Sequence, residues 1–322
     1  MYIRKMFRRS IYLIILGLIL ISCDTRNSNF GNSNRFILNW TPIDSLNQNL
    51  PEGIEVFQAI HIGSNLRAWY VKVKESRPDI ETRVIVSTDS DRRESVSQLW
   101  ERLKAPIIIN GGYFRTDLNP AKHVGLLKID NELIQPATPS VLRGEQRFFL
   151  HRSAIGFGED DNIRIEWVSS VADSVYRWEK AIDNIPDQPG AKQDTSYRKL
   201  WLARDILGGG PQLIRDNKID ISINEEVFFG TSIPMVHPRT AAGITLDGDL
   251  ILLLIDGRQL ISRGVDLSEL ARILYDLGCR DALNLDGGGS SSLVVNGILL
   301  NRPAGTTTER EVMSALAVFS KK

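Results

Sequence analysis

A chain of 322 residues suggests two domains of about 150 residues each, although one strand-rich domain can run to about 250. Its composition, 42% hydrophobic and 24% charged with 25 glycines and 13 prolines, excludes collagen-like, coiled-coil, disulfide-scaffold and wholly disordered chains. The 39 basic residues balance the 39 acidic ones, which argues against nucleic acid as a partner, because such binders carry a basic surplus on one face.

Arg4, Lys5, Arg8 and Arg9 precede an apolar run over residues 11–21, followed by Ser22 and Cys23. A basic head, a short apolar stretch and a small residue form the layout of a secretory signal, and 11 residues are too few for a bilayer core that needs about 20. Leu20-Ile21-Ser22-Cys23 resembles a bacterial lipobox, which implies a lipid thioether on Cys23 and loss of residues 1–22. The expected location is the bacterial cell envelope, with the membrane engaged through this anchor alone. The lost segment holds four basic and no acidic groups, so 300 residues remain with a formal charge of −4. Recognition of an anion must then be local rather than a property of the overall field. Cys279 is the one thiol left, which excludes an internal disulfide, and it reads as a small buried apolar residue.

Residues 23–51 are Asn/Ser-rich and read as a polar tether, with the globular part over residues 52–322. Strand-like alternation begins at Ile54 and recurs over residues 66–73 and 82–86, and residues 95–103 have the pattern of a short amphipathic helix. A buried strand over residues 106–109 stops at Asn110-Gly111-Gly112, and short strands follow over residues 125–129, 152–158 and 163–168. Residues 172–197 are polar with little periodicity and read as a surface excursion. Residues 242–246 and 250–255 form a hairpin around Asp247-Gly248, and residues 282–285 and 292–295 are further strands. Between them lies a helix capped by Asp266 with Glu269, apolar at Leu267, Leu270, Ile273, Leu274 and Leu277, and closed by Gly278. The fold class predicted is α+β: a single mixed, mostly antiparallel, sheet-rich domain with a few packed helices.

Three glycine-centred turns follow buried strands: Asn110-Gly111-Gly112-Tyr113-Phe114, Gly208-Gly209-Gly210-Pro211 and Asp286-Gly287-Gly288-Gly289-Ser290-Ser291. In the last, a strand-end carboxylate precedes backbone N–H groups free of side chains and then hydroxyls, which suits an anion nest with an acid/base group beside it. A dinucleotide fold is excluded, because G-x-G-x-x-G is absent and the segment after the turn reads as a strand. Arg239 enters an apolar strand, where a guanidinium calls for a carboxylate or phosphate partner. Asp256 also emerges at a strand end, just before Gly257-Arg258. As bare patterns, the triple glycine also fits a tight hairpin, Arg239 a surface strand start and Asp256 a turn. His61, His123, His151 and His237 lack metal-ligand spacing, and Trp167, Trp178 and Trp201 read as packing residues.

These motifs, together with Arg239-Thr240-Ala241-Ala242-Gly243 and Asp256-Gly257-Arg258, occur in an order that resembles the phosphodiester glycosidase family over about residues 105–320. The resemblance implies hydrolysis of a sugar-1-phosphodiester of the N-acetylglucosamine kind. The sugar is released, and the phosphomonoester stays on a glycan or polymer. It places Asp286 as the carboxylate that activates water or stabilises an oxocarbenium-like transition state, with Asp256 as its partner and Arg239 against the phosphate. Asn110, Gly111, Gly112, Thr240 and Arg258 would hold sugar or phosphate, as would Gly287, Gly288, Gly289, Ser290 and Ser291. Glu309 and Arg310, before a final strand over residues 313–319, would line the same cleft. No cofactor is required on this reading, while Asp286 as a ligand of a divalent cation is the open alternative. A non-catalytic phosphosugar-binding lipoprotein is the competing function. A purely structural envelope protein would instead leave the three glycine turns far apart.

Overall fold

Alternating apolar residues shape the first long strand, Ile54–His61, which buries Ile54, Val56 and Ala59 and pairs along its whole length with Leu66–Val73. The computed structural model describes residues 37–159, 162–303 and 308–321. The predicted signal peptide, Cys23 and the predicted tether up to residue 36 lie outside the described residues. Leu38–Lys322 forms one folding unit.

Leu66–Val73 continues into an eight-stranded sheet in the order Thr41–Pro42, Ile54–His61, Leu66–Val73, Leu250–Ile255, Arg239–Thr245, Cys279–Asn284, Gln212–Arg215, Lys218–Ile219. Its central strands Leu250–Ile255 and Arg239–Thr245 are buried at every position, as strands covered on both faces must be. A five-stranded sheet runs Ile298–Leu299, Leu293–Val295, Ile107–Asn110, Ser314–Ser320, Ile80–Val86. A seven-stranded sheet is centred on Asn162–Val171, Arg152–Glu159 and Asp205–Gly208. Every pairing within them is antiparallel. One apolar core joins all three, with Val71 and Leu252, Ile107 and Leu316, and Ile155 and Leu207 in the same cluster.

The sheet-rich, antiparallel expectation therefore holds, but the strands divide among three large sheets and two two-stranded ribbons, and the helices make no layer of their own. Among the described residues only Val96–Leu103 and Leu267–Asp276 exceed one turn of α-helix. Both begin with the capping box that their sequences carry, Ser95 with Gln98 and Asp266 with Glu269.

Two further expectations change. The last part of the predicted tether, from Leu38 onward, belongs to the fold. Thr41–Pro42 pairs with Ile54–His61, Leu46 is buried, Asn47 exchanges hydrogen bonds with the backbone of Val56, and Trp40 meets Tyr70 edge-on at 4.8 Å. Leu46, with Ile43 and Leu50 packed against the core and Trp40 against Tyr70, is enough to dock it. The supposed excursion contains a strand, Ser174–Trp178, whose Trp178 sits opposite Trp167 and is buried. The polar flanks of this strand hide its short apolar face.

Candidate active site

The three glycine turns are the places where the chain changes sheet, and they meet. Asp205–Gly208 leaves the seven-stranded sheet through Gly209 and Gly210 into Gln212–Arg215 of the eight-stranded one. Cys279–Asn284 leaves the eight-stranded sheet through residues 285–292 into Leu293–Val295 of the five-stranded one, beside Ile107–Asn110. Hydrogen bonds tie the turns together: Asp286 N–H to Gly111 C=O at 3.0 Å, Gly210 N–H to Asn284 C=O at 2.7 Å, and the Tyr113 hydroxyl to Gly210 C=O at 2.8 Å. Buried Glu226 holds the middle turn from behind, accepting from Ser153 N–H, Gln212 N–H, Trp167 Nε1 and the hydroxyls of Ser153 and Ser222.

Over this seam opens a cavity of about 140 Å³ lined by Tyr113, Ser232, Ile233, His237, Arg239, Arg258, Asn284, Asp286, Gly287 and Gly288. Asp286 is the one carboxylate in that lining. Burial pushes it up to about 6, against the opposing pull of the Ser290 hydroxyl, the Gly287 N–H at 3.0 Å and the charge of Arg310. Its own backbone is held at both ends, since Asn110 Nδ2 donates to its C=O at 2.7 Å.

Arg239 is 3% exposed, and its guanidinium donates to the carbonyls of Val265 at 3.0 Å, Ile233 at 2.8 Å and Met235. The carboxylate or phosphate partner anticipated for it is absent from these bonds; neutral carbonyls orient it instead. Burial lowers it to about 10, leaving it charged at neutral pH beside the pocket. Arg258 reaches His237 Nδ1 at 3.2 Å, and His237 Nε2 is 2.8 Å from Ser232 C=O. With Nε2–H donating to that carbonyl, Nδ1 accepts from Arg258. Burial and the charges of Arg239 and Arg258 keep this imidazole below its usual range and hence neutral.

In the third glycine turn most backbone N–H groups are already engaged. Gly287 N–H is spent on the Asp286 carboxylate, Gly288 N–H on Pro238 C=O, and the N–H groups of Ser290 and Ser291 close the turn internally. What these glycines provide is room for arginine. A β-carbon on Gly288 would come within 3.1 Å of the Arg258 guanidinium, and one on Gly289 within 2.8 Å of Arg310.

Several predicted ligand-holders are spent on the protein itself. Asn110, fully buried, accepts from the Thr240 hydroxyl at 2.7 Å and from Ser292 N–H at 3.1 Å, so Asn110 and Thr240 clamp the seam. Gly111 and Gly112 donate to Ser314, through its carbonyl at 2.8 Å and its hydroxyl at 3.1 Å. Asp256 is 2% exposed and outside the cavity lining, its carboxylate accepting from Asn301 Nδ2 at 3.1 Å. Glu309 faces the start of helix Val96–Leu103, accepting from Ser97 N–H at 3.4 Å, while its neighbour Arg310, also outside the cavity lining, lies against Gly289 with its charge acting on Asp286. Ser291 is buried outside the lining, and Ser290 acts on Asp286.

Tyr113, Asn284 and His237 line the pocket without having been assigned a role from sequence. Tyr113 and Asn284 stand inside quoted motifs, which was the available signal. Burial and the nearby Asp286 raise the Tyr113 phenol well above its usual range, so it remains a protonated donor. Among the described residues no three of His, Cys, Asp and Glu gather as metal ligands.

An acid in a cationic pocket on an antiparallel three-sheet scaffold describes a site for an anionic substrate. The profile of the phosphodiester glycosidases matches residues 103–319, more than half of the chain, and the chain belongs to that family of hydrolytic enzymes. It is 36% identical over 108 residues to the N-acetylglucosamine-1-phosphodiester alpha-N-acetylglucosaminidase of Bos taurus, covering 31% of this chain and 20% of that protein. It is 32% identical over 116 residues to the SPbeta prophage-derived uncharacterized protein YomE of Bacillus subtilis, covering 36% of this chain and 17% of the relative. The match thus spans a fifth or less of each of these two relatives. The catalytic domain of the zebrafish N-acetylglucosamine-1-phosphodiester alpha-N-acetylglucosaminidase, auto-inhibited by its pro-peptide, shares the fold. Its TM-score is 0.57 at 21% identity, over 89% of this chain and 85% of that one.

Proposed function

We propose that this chain hydrolyses a sugar-1-phosphodiester of the N-acetylglucosamine type. A water oxygen bonds to the anomeric carbon, the bond from that carbon to the phosphate oxygen breaks with its electron pair leaving on phosphate, and Asp286 takes the water proton. Arg239, Arg258 and Arg310 hold the diester's charge and receive the second charge that develops on the departing phosphomonoester. Such a leaving group needs little protonation, which accords with a pocket lined by one carboxylate. Asn284 Oδ1, which has no hydrogen-bond partner among the described residues, offers an acceptor to a sugar hydroxyl, while the Tyr113 proton is given to Gly210 C=O.

The observation that carries this reading is Arg239, a buried guanidinium oriented by neutral carbonyls alone, lining the same small cavity as an aspartate lifted to about 6. Relatives acting on N-acetylglucosamine-1-phosphodiesters support the choice of sugar. The sequence of residues 4–23 supports a setting at the bacterial cell envelope through a lipid on Cys23, with a sugar-phosphate-containing glycan or polymer as the partner.

The test is release of N-acetylglucosamine from an α-linked 1-phosphodiester by the full chain. Asp286→Asn and Arg239→Ala should each abolish most of it while circular dichroism stays native. Wild-type turnover by Asp286→Asn would overturn the assignment. The engagement of Asp256 by Asn301, which leaves the pocket a single carboxylate, favours a second reading as a phosphosugar binder. Calorimetric binding of N-acetylglucosamine-1-phosphate with no product from the diester would establish that reading instead.

A further inference from the structure

The loops that frame the cavity end in large apolar side chains. Residues 256–265 form a hairpin whose tip is Leu260-Ile261, closed by paired hydrogen bonds between Gln259 and Ser262 at 3.0 and 3.1 Å. Two-residue hairpin tips are ordinarily Gly, Asn or Asp, because turn backbone and solvent both favour them. Here Leu260 is 95% exposed and Ile261 is also exposed, so folding does not account for either.

The hairpin is held firmly. Ser262 Oγ donates to Asp256 C=O at 2.8 Å and accepts from Arg67 N–H at 3.1 Å, and Arg263 pairs with Glu269. It lies beside the loop that leads into His237, through two hydrogen bonds between His237 and Val265 at 3.1 and 3.0 Å. That loop exposes Met235 and Val236. On the hairpin's other side, Arg263 N–H donates to Asn65 C=O at 2.9 Å, next to a turn presenting Ile62 at 85% exposure. An apolar rim therefore continues from the cationic pocket, with Leu260 two residues from Arg258 and so within about 7 Å of it along the chain.

A rim of hydrocarbon joined to a cluster of guanidiniums complements an amphiphile whose anionic group sits beside an alkyl chain. On the reading given under Proposed function, the sugar and phosphate occupy the pocket and the rim faces whatever the phosphate is esterified to. We infer that this acceptor is apolar, so that the substrate class is a glycosyl phosphodiester of a long-chain alcohol.

The experiment compares octyl and methyl esters of α-N-acetylglucosamine-1-phosphate, below the octyl ester's micelle concentration, on the full chain and on a variant carrying Leu260→Ser and Ile261→Ser. Wild type should prefer the octyl ester in kcat/KM by about tenfold or more, mainly through KM, because several methylenes leave water. The double variant should lose that ratio and Leu260→Met should keep it. Equal turnover of both esters by wild type, or an unchanged ratio in the double variant, overturns the inference while leaving the hydrolase reading intact. If neither ester is cleaved, the hydrolase reading fails, and calorimetry with octyl phosphate against methyl phosphate decides the rim. About tenfold tighter binding of the octyl compound, lost in the double variant, supports it; equal affinities overturn it. Loss of a dimer or of phosphatidylcholine-vesicle binding in the double variant, with no chain-length effect, would assign the tip to a second copy or to a bilayer and overturn it likewise.

Discussion

Asp256 and Asp286 occupy equivalent places in the chain and opposite places in the chemistry. Each follows a buried strand of the eight-stranded sheet, each precedes a glycine, and Arg239–Thr245 lies between their two strands. Asp256 meets Asn301, 45 residues onward, and its carboxylate is consumed in holding that loop. Asp286 turns toward a cavity that Arg239 and Arg258 also line, with the Gly287 N–H on its carboxylate. A strand-end Asp-Gly is thus a local pattern with two outcomes, and a partner distant in sequence selects between them.

The sharpest way to break this contrast is substitution of both acids. Asp286→Asn should lower kcat/KM by roughly 10²- to 10⁴-fold, as removal of a general base does. Arg239→Ala should cost about 10²-fold by removing an oriented cation from the developing charge. Asp256→Ala should move turnover far less than Asp286→Asn and instead lower stability by about 1–3 kcal/mol in urea titrations, because buried Asn301 Nδ2 loses one of its two acceptors. A loss of activity from Asp256→Ala as large as that from Asp286→Asn, at unchanged stability, would erase the distinction.

Acidity offers a subtler probe. With Asp286 lifted to about 6, turnover should rise with pH through about 6 and level off above it, since the base works ionised. The same shift has a thermodynamic sign. The folded state holds this proton more tightly than the unfolded chain, whose Asp titrates near 3.9, so the group withdraws stability as pH rises from about 4 to about 6. Asp286→Asn should therefore melt at a higher temperature than wild type at pH 7 and at nearly the same temperature at pH 4. Smallest of all, Glu309→Gln should leave kcat/KM within about twofold, because its carboxylate serves the start of helix Val96–Leu103 and is separate from the pocket.

Local rules carried much of this molecule. Apolar periods located both longer helices, with a capping box marking the start of the second, and alternation located several of the strands. Asp286, Arg239 and Arg258, each taken from a quoted motif, line one cavity. Asn110 and Thr240, in contrast, are ligand-holders by the family resemblance alone. Which polar group they meet is settled by contacts across 130 and 176 positions, which no local period encodes. His237 escaped notice for the converse reason, being one of four scattered histidines until the His237–Val265 bridge set it beside Arg258. Tether residues 38–50 and strand Ser174–Trp178 were obscured by polar neighbours that outnumber their few anchoring side chains.

The meeting of three sheets at one seam also sets when the pocket can exist during folding. The bond from Asn110 to Asp286 and that from Gly210 to Asn284 each close a long loop; the first ties the five-stranded sheet to the end of an eight-stranded-sheet strand, and the second holds the turn between the seven- and eight-stranded sheets. Contacts of such high sequence separation form late and slowly. A chain that has paired its hairpins but not docked its sheets has no anion pocket at all. Catalytic competence therefore arrives with the last cooperative step and vanishes with the first global one, so that activity during refolding or heating reports assembly of the whole domain.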